Sequence, residues 1–499
     1  MLAQSLVYMD MTPNKQFAAV LAQDITARGE ALNNQPAPFA PELRQILETL
    51  RPLNFRELAG AKADEKVRPR EMLVIAVREL LKIVENSGAG LTASNGQPYA
   101  YNGRYWQQMS KEETQAFLSA AAAALGIDEL TAQYFETQDK LFKQFQATAR
   151  LMPTRRARGK VFINFPNGTL EISQAGDLIF REHRRADFLK YELPYNYDPA
   201  AADCPRFTAF LNRVQPDKTA QAVLAEFVAN ALAPELNQQK VLVLNGPGSN
   251  GKSVFCDIIT AVLGRENVSS YTMESLTKTD SRSCAQLENK LLNYSGENSL
   301  KMNSEAFKTL ASGEPIPVRQ LYGEEYIMEN YAKLMFNCNL LPRDIENSEG
   351  FFRRFEIIPF SVKIDESERD PELASKIIAQ ELPAVFNWVL EGLRRLLKQK
   401  KYTDCPAARQ ALEAYRKESN SVLMFIDEQG LQPGTDEQTD RMPLKRLYEL
   451  YADFCRGSGY YAMTKTNFNR QMQAQGFTGG RDSHGMWLSC KGFKDDLPY

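Results

Sequence analysis

Lys240-Val-Leu-Val-Leu-Asn-Gly-Pro-Gly-Ser-Asn-Gly-Lys-Ser253 is the stretch that decides the fold of this 499-residue chain. Its aliphatic residues 241–244 predict a buried strand, and a glycine-rich turn follows. Apolar residues at helical spacing then continue to Gly264, which predicts an amphipathic helix after the turn. The order strand, loop, helix predicts a phosphate-binding unit of an α/β protein.

The loop itself fits the pattern G-x-x-x-x-G-K-[S/T], in which backbone N–H groups and a helix N-terminus surround phosphate oxygens. Lys252 is expected to reach the β- and γ-phosphates of ATP, and the Ser253 hydroxyl to ligate Mg²⁺. ATP and Mg²⁺ are therefore the predicted cofactors. The predicted nucleotide-binding residues are Gly246, Pro247, Gly248, Ser249, Asn250, Gly251, Lys252 and Ser253.

The composition restricts the class of protein. Sixty basic and 62 acidic residues give a net charge of -2, so any contact with nucleic acid must be local. The seven cysteines are scattered and lack C-x-x-C spacing, which argues against a disulfide framework or a structural zinc. No apolar stretch approaches a membrane span, and a cytoplasmic protein without a membrane partner is expected.

Ahead of the loop, the pattern predicts helices, a hairpin over 99–106 that turns at Asn102-Gly103, and short strands around Asn167-Gly168. The aromatic residues of 99–106 are interpreted as packing within their own domain rather than stacking on bases. The basic cluster 153–160 fits either a contact with a phosphate backbone or a solvated loop. A pair of amphipathic helical segments then leads into the phosphate loop.

Two further strands follow the loop. The strand in 290–297 ends on Glu297, the candidate to ligate Mg²⁺ and to activate water, and we expect it to lie beside the loop strand. The strand in 333–339 ends on Asn339, which either senses the γ-phosphate or caps the next turn. Arg353 and Arg354 precede another aliphatic strand, where an arginine could stabilise transition-state charge, including from a neighbouring subunit.

In this order and spacing, these motifs resemble the superfamily 3 helicases of phage and plasmid primase-helicases, which share an AAA+ type ATPase with a poxvirus replication protein. Also similar are the Phe-Lys-Thr-Leu-Ala-Ser-Gly-Glu stretch at 307–314 and the residues ahead of the loop, so that the likeness covers about 95–395. It implies a homo-oligomeric ring, usually a hexamer. Such a ring binds ATP between subunits and moves 3′ to 5′ along single-stranded or forked DNA.

For individual residues, the resemblance implies that Lys252 and Ser253 hold phosphate and metal, Glu297 activates water, and Asn339 senses the γ-phosphate. Arg353 or Arg354 would act on the site of the neighbouring subunit. A hairpin over 316–327 would be the DNA-gripping loop, but its expected tip, Gly323-Glu-Glu325, is acidic. DNA contact is therefore assigned to Lys308 and Arg319.

The C-terminal residues predict two helices, over 444–454 and 465–475, followed by a turn and a strand. That order suits a winged helix-turn-helix that binds DNA through Lys465, Asn469 and Arg470, or else one that binds protein. From 441 to 499 there are nine basic and five acidic residues, a surplus of four positive charges. The predicted domains are a helical N-terminal module (1–70), a mixed α/β domain (71–205), an AAA+ type ATPase domain (206–400), a helix and linker (401–440) and a winged helix (441–499).

The sequence thus predicts an ATP-driven DNA helicase that acts in the replication of a phage, plasmid or related mobile element. Residues 1–70 are too short and too poor in paired acids for a primase site, so a separate primase or host replication proteins are candidate partners. The alternative is an origin-binding initiator ATPase that does not unwind DNA. A small-molecule kinase also uses such a loop, but the large flanking domains and the arginine pair argue against one.

Overall fold

A computed structural model describes residues 39–62, 65–149, 159–278, 282–296, 302–319, 325–342, 345, 348–435 and 439–492. The chain divides into two compact units, Met1–Pro153 and Thr154–Tyr499. Residues 153–158 of the basic cluster 153–160 lie outside the described residues. In the part of the chain that is described, no helix combines the length and hydropathy needed to cross a membrane.

The first unit is a helical cluster with one small antiparallel sheet. Its helices share one apolar core, which includes Ile46, Leu80, Phe117 and Phe145. The predicted hairpin is confirmed, with Tyr101 opposite Trp106 and the turn at Asn102-Gly103. Its elements are α1 (Pro41–Thr49), α2 (Phe55–Ala59), α3 (Pro69–Asn86), β1 (Gly90–Ser94), β2 (Gln97–Tyr101), β3 (Trp106–Gln108), α4 (Lys111–Ala124), α5 (Glu129–Gln133) and α6 (Phe135–Thr148).

The described residues before 70 contribute to this same core. Leu43 and Ile46 of α1 are 2% and 3% exposed, and they belong to one cluster with residues of α3, α4 and α6. The aromatic residues Tyr99 and Trp106 are buried, as expected for packing within their own domain. The division of the chain into five domains stays a prediction.

The second unit begins with the antiparallel sheet β4-β5-β6, whose first two strands turn at Pro166-Asn167, one residue before the predicted Asn167-Gly168. Two helices follow it and lead to the central sheet. The elements up to the long helix are β4 (Lys160–Phe165), β5 (Gly168–Ser173), β6 (Leu178–Arg181), α7 (Pro205–Val214), α8 (Lys218–Leu232), β7 (Val241–Asn245), α9 (Lys252–Leu263), β8 (Val268–Ser269), α10 (Met273–Leu276), α11 (Arg282–Ala285), β9 (Leu292–Ser295), α12 (Ser304–Ser312), β10 (Ile316–Arg319), β11 (Glu325–Met328), β12 (Lys333–Cys338), α13 (Glu349–Phe352), β13 (Phe355–Pro359) and α14 (Leu373–Gln399).

The central sheet has five parallel strands in the order β13-β7-β12-β9-β8. Val241, Leu242, Val243 and Leu244 of β7 are fully buried, because helices cover both faces of such a sheet. The expectation that the strand before Glu297 lies beside the loop strand is wrong. β12 is hydrogen-bonded to both β7 and β9 and lies between them. The chain forms β9 one position away from β7 and later returns to fill the gap with β12.

Helices α8 and α14 pack closely on one face of this sheet. A Cβ atom at Gly392 would lie 2.6 Å from the backbone carbonyl carbon of Ala225, so only glycine permits this approach. α14 begins at Leu373 and continues through Pro383 to Gln399. The turns before Pro383 form because Ile377 is fully buried in the core.

The C-terminal part of this unit has its own apolar core, which includes Phe425, Leu447, Tyr451 and Phe468. The rings of Tyr451 and Phe468 stack with centroids 4.5 Å apart. β17 pairs with β14, β15 and β16, so residues on both sides of 436–438 contribute to one small antiparallel sheet. The elements are α15 (Pro406–Glu418), α16 (Ser421–Gln429), β14 (Gln432–Pro433), β15 (Arg441–Pro443), α17 (Leu444–Ser458), α18 (Lys465–Ala474), β16 (Gly479–Asp482) and β17 (Gly485–Lys491).

Candidate nucleotide-binding site

The glycine-rich loop connects β7 to α9 at the carboxyl edge of the central sheet, as the sequence predicts. Gly248 and Gly251 have φ angles of 102° and 80°, and Ser249 between them has a φ of 51°. Left-handed angles turn successive N–H groups toward one concave side of a loop, and this arrangement binds anions. The first turn of α9 adds further N–H groups and the positive end of the helix dipole.

Lys252 lies over the concave side of this loop and is 6% exposed. Its Nζ atom donates hydrogen bonds to the Gly246 carbonyl at 2.7 Å, to Asn250 Oδ1 at 3.0 Å and to Asn339 Oδ1 at 3.4 Å. Burial lowers the pKa of the Lys252 ammonium, because it removes the charge from water. The three oxygen acceptors are neutral and do not balance that charge. An anion placed here would provide the opposite charge that this buried cation lacks.

Asn250 holds the loop against the neighbouring strand. Its Nδ2 atom donates to the Phe360 carbonyl at 2.8 Å, directly after β13. A Cβ atom at Gly246 would lie 2.3 Å from both this Nδ2 atom and the Phe360 carbonyl oxygen. Gly246 is therefore required for the close approach of loop and strand, and the side chain of Asn250 fixes the loop shape. The sequence motif allows any residue at position 250, so it gave no signal for this role.

Asn339 follows β12, the strand beside β7, and this placement brings its amide to the phosphate loop. The Asn339 oxygen accepts a hydrogen bond from Lys252, which favours the prediction of a phosphate-sensing amide over a turn cap. Two residues earlier, buried Asn337 donates to the Tyr294 hydroxyl at 2.7 Å and accepts from Cys256 Sγ at 3.6 Å. This buried polar contact links β12, β9 and α9 beneath the site, and the sequence analysis missed it.

The predicted acid, Glu297, lies outside the described residues, which end at Gly296 on this side of the gap. β9 itself ends at Ser295 on the same edge of the sheet as Asn339, with Phe336 opposite Ser295. The role of Glu297 in metal binding and water activation stays a prediction.

The two neighbouring arginines differ sharply in environment. Arg354 is 8% exposed and donates to the Lys308 carbonyl at 3.0 Å, to Ser312 Oγ at 2.8 Å and to the Gly350 carbonyl. Arg353 is exposed at the end of α13. Arg354 thus holds α12 and α13 together within its own subunit, and Arg353 is the one whose guanidinium is accessible to another molecule.

Ser249, at the outer turn of the loop, also contacts a segment that no motif marks. The Ile364 N–H donates to the Ser249 carbonyl at 2.9 Å, and Arg369 Nη2 donates to Ser249 Oγ at 3.1 Å. Both residues lie between β13 and α14, in a stretch rich in acids. The only sequence signal was a single arginine among acids, which on its own resembles a solvated loop.

The predicted DNA contacts lie apart from the loop. The hairpin β10-β11 forms as predicted, with Arg319 opposite Glu325, whereas its tip at 320–324 lies outside the described residues. Arg319 is exposed on β10, and Lys308 is partly exposed on α12. In α18, Lys465 and Arg470 are exposed, but Asn469 Oδ1 is buried without a hydrogen-bond partner among the described residues. Asn469 as a whole is half-buried, and its contact with DNA stays a prediction.

The residues present fit a nucleotide with a bound metal. The loop provides a concave set of N–H groups with no side chain at Gly246, Gly248 or Gly251, and Lys252 supplies a cation. The Ser253 hydroxyl is exposed on the first turn of α9, where Mg²⁺ bound to phosphates is usually ligated. The donor set is therefore the one that a nucleoside triphosphate requires.

Three family models match separate parts of the chain. "D5 N terminal like" matches residues 91–216, "Family of unknown function (DUF5906)" matches 244–354, and "Poxvirus D5 protein-like" matches 417–481. The matched parts include about half of the residues ahead of the loop, the loop with both arginines, and α16 to α18 of the C-terminal part.

Curated relatives agree with these models. The chain is 27% identical to "Putative helicase L207/L206" of Acanthamoeba polyphaga mimivirus, over 47% of this chain and 25% of that protein. It is 21% identical to "Putative helicase 121R" of Invertebrate iridescent virus 3, over 58% of this chain and 34% of that protein. It thus spans about a quarter to a third of the length of these relatives. Among solved structures, the apo C-terminal region of NrS-1 matches at 14% identity and a TM-score of 0.46, over 82% of this chain and 97% of that chain. Two of the matched models and both relatives thus make the chain similar to the superfamily 3 primase-helicases of the poxvirus D5 type.

Proposed function

We propose that this chain is a helicase of the D5 type, an ATP-driven DNA helicase that works as a hexameric ring and moves 3′ to 5′. The observation that carries the proposal is the hydrogen bond between Lys252 and Asn339, which joins the phosphate loop to the tip of the adjacent strand. Such a pairing suits a site that responds to the γ-phosphate, and a motor requires that response. Replication of a phage, plasmid or related mobile element is the process we propose for it.

When bound, ATP supplies the phosphoanhydride bond, and the chain supplies position and charge. Lys252 would exchange its neutral acceptors for phosphate oxygens, and Ser253 would ligate Mg²⁺. Glu297 would orient the attacking water, and Asn339 would hold the γ-phosphate. Since hydrolysis needs no protein nucleophile, these positioning and electrostatic roles account for catalysis.

Completion of the site requires a cation from a neighbouring subunit. Arg353 is the proposed donor, because its side chain is exposed while that of Arg354 is engaged within its own subunit. Each site would then lie between two copies of the chain, which makes ATP hydrolysis dependent on assembly. This dependence distinguishes a ring from a monomeric ATPase.

For contact with DNA we propose two surfaces. The β10-β11 hairpin with Arg319, together with Lys308, would grip a single strand inside the ring. The C-terminal part would act as a winged helix-turn-helix, in which Lys465 and Arg470 approach the phosphates of a duplex or fork. No acidic residue lies between Asp453 and Asp482, so the positive charge of α18 is not offset nearby in the sequence.

The alternative function is an origin-binding initiator ATPase that does not unwind DNA. The pairing of Arg319 with Glu325 favours it, because a carboxylate beside the gripping cation weakens attraction to a phosphate backbone. The same ATP site would then switch DNA binding rather than drive translocation.

A strand-displacement assay on forked DNA distinguishes the two functions. We expect displacement of a labelled strand with ATP from a fork that carries a 3′ single-stranded tail, and none from a fork with only a 5′ tail. The matched control is Lys252→Ala protein on the same forks. ATPase activity stimulated by DNA without strand displacement would contradict the helicase and support the initiator.

A further inference from the structure

Arg369 contacts the phosphate loop, although it belongs to none of the sequence motifs described above. Its Nη2 atom lies 3.1 Å from Ser249 Oγ, at the point of the loop where φ is 51°. The remaining N–H groups of the guanidinium face an exposed region, since the residue is exposed. Among the described residues, Ser249 is the hydrogen-bond partner of this guanidinium, which thus places a cation with further donors at the rim of the concave loop.

The segment that carries Arg369 is held in place on both sides. The Ile364 N–H bonds to the Ser249 carbonyl at 2.9 Å, and Glu368 pairs with Arg213 of α7 at 2.7 Å. Asp370 pairs with Lys376 of α14 at 2.8 Å. The acids on either side of Arg369 are therefore occupied by other cations, and the side chain of Arg369 is directed to the loop.

A hydroxyl is a weak partner for a guanidinium compared with a phosphate. Charge-assisted bonds between arginine and phosphate are shorter and about twice as strong as neutral ones, and they are frequently bidentate. Lys252 lies on the inner side of the loop. A nucleoside triphosphate bound there would present the phosphate oxygens that do not face Lys252 toward the rim. The contact with Ser249 is then the resting position of a residue that has a better partner when ATP is present.

We propose that Arg369 is a phosphate-binding residue of its own subunit, which leaves Ser249 to contact the terminal phosphate of ATP. This inference rests on the proposed function, because it requires the loop to bind ATP. Since Asp370 is paired with Lys376 in the first turns of α14, movement of Arg369 would be transmitted to that long helix. ADP, which lacks the terminal phosphate, would leave Arg369 at Ser249.

Nucleotide binding by the full chain, measured with fluorescent ATP and ADP analogues, tests the proposal without relying on catalysis. Arg369→Ala is expected to weaken ATP binding by about tenfold to a hundredfold, the worth of a hydrogen bond between charged groups. ADP binding is expected to change less than about twofold. Arg369→Lys, which keeps the charge but not the planar fork, should recover part of the loss.

The matched control is Arg213→Ala, which releases Glu368 and loosens the same segment but leaves Arg369 intact. It should leave the ratio of ATP to ADP affinity unchanged. Equal losses for ATP and ADP in Arg369→Ala, or the same ratio change in Arg213→Ala, would show a merely structural role and overturn the proposal.

Lys252→Ala, measured in parallel, distinguishes failure of the role proposed for Arg369 from failure of the proposed nucleotide site. If it loses both nucleotides while Arg369→Ala binds like the original protein, only the role of Arg369 is refuted. If Lys252→Ala still binds ATP and ADP normally, the phosphate loop is not the nucleotide site, and the proposed function fails together with this inference.

Discussion

The phosphate-loop site and the C-terminal part of the chain present their candidate functional residues in opposite ways. At the loop, two chain segments converge, and Lys252 is buried in contact with Gly246, Asn250 and Asn339. In α18, Lys465 and Arg470 are exposed on one helix and lie over a separate apolar core. The first arrangement is defined by contacts within the protein, whereas the second acquires a function only from what binds to it.

The largest effect is expected from Lys252→Ala. Loss of the ammonium should lower ATP turnover by at least about a hundredfold, because it removes the main charge aimed at the phosphates. The melting temperature should change little, since the variant also removes the cost of burying an ammonium among neutral acceptors. Steady-state ATPase assays and thermal unfolding measure both. Lys398→Ala, at an exposed lysine of α14, is the control, and normal turnover in Lys252→Ala protein would refute the site.

The arginine pair gives the second prediction. Arg353→Ala should lose ATPase activity with unchanged stability, and mixing it with Lys252→Ala protein should restore part of the activity, because a mixed interface can combine the intact halves. Arg354→Ala should instead lower the free energy of unfolding by about 2–3 kcal/mol, since Ser312 and two carbonyls lose a buried donor. Denaturant titration and mixing assays measure these results.

Recovery of activity by Arg354→Ala in the mixture, with no recovery by Arg353→Ala, would reverse this assignment. No recovery by either variant, with assembly intact, would contradict the expectation that an arginine acts between subunits.

A smaller effect is expected at the C-terminal surface. The double change Lys465→Ala and Arg470→Ala should weaken binding to duplex DNA by about tenfold at low salt and reduce the salt slope by about 2. ATP turnover without DNA should stay unchanged, because α18 and the phosphate loop belong to separate cores. Fluorescence anisotropy at several salt concentrations measures the slope. Unchanged affinity and slope would favour the protein-binding winged helix.

The smallest effect is expected from Asn469→Leu. Asn469 Oδ1 is buried and has no hydrogen-bond partner among the described residues, so an apolar side chain of similar size should change the free energy of unfolding by less than about 1 kcal/mol, or raise it. Affinity for duplex DNA should stay the same in anisotropy titrations. A loss of affinity comparable to that of the double change would show that Asn469 contacts DNA.

The contrast between the two regions also explains which features of the structure can be predicted from the sequence. The β7 strand, its glycine loop and α9 were predicted because each local pattern, the aliphatic run, the glycines and the helical spacing, agrees with the others. The hairpins near Asn102-Gly103 and Asn167-Gly168 were predicted for the same local reason. Such features depend on neighbours in the chain.

Features that depend on distant neighbours were not predictable. The insertion of β12 between β7 and β9 is a matter of sheet order, and no local pattern encodes it. The burial of Arg354, the anchoring of Asn250 to Phe360 and the contact of Arg369 with Ser249 each join residues more than 40 positions apart. The sequence alone therefore offers Arg353 and Arg354 as equal candidates for the arginine that acts between subunits. Tertiary packing makes them different, because it buries Arg354 and leaves Arg353 exposed.

The neutral oxygens around Lys252 have a kinetic consequence. A buried ammonium that lost its phosphate partner without a substitute would face a large desolvation penalty, and that penalty would slow the departure of the product. Gly246, Asn250 and Asn339 provide acceptors that the lysine can take up as ADP leaves. The loop could thus empty without collapsing, and in the proposed motor this would lower the barrier to product release.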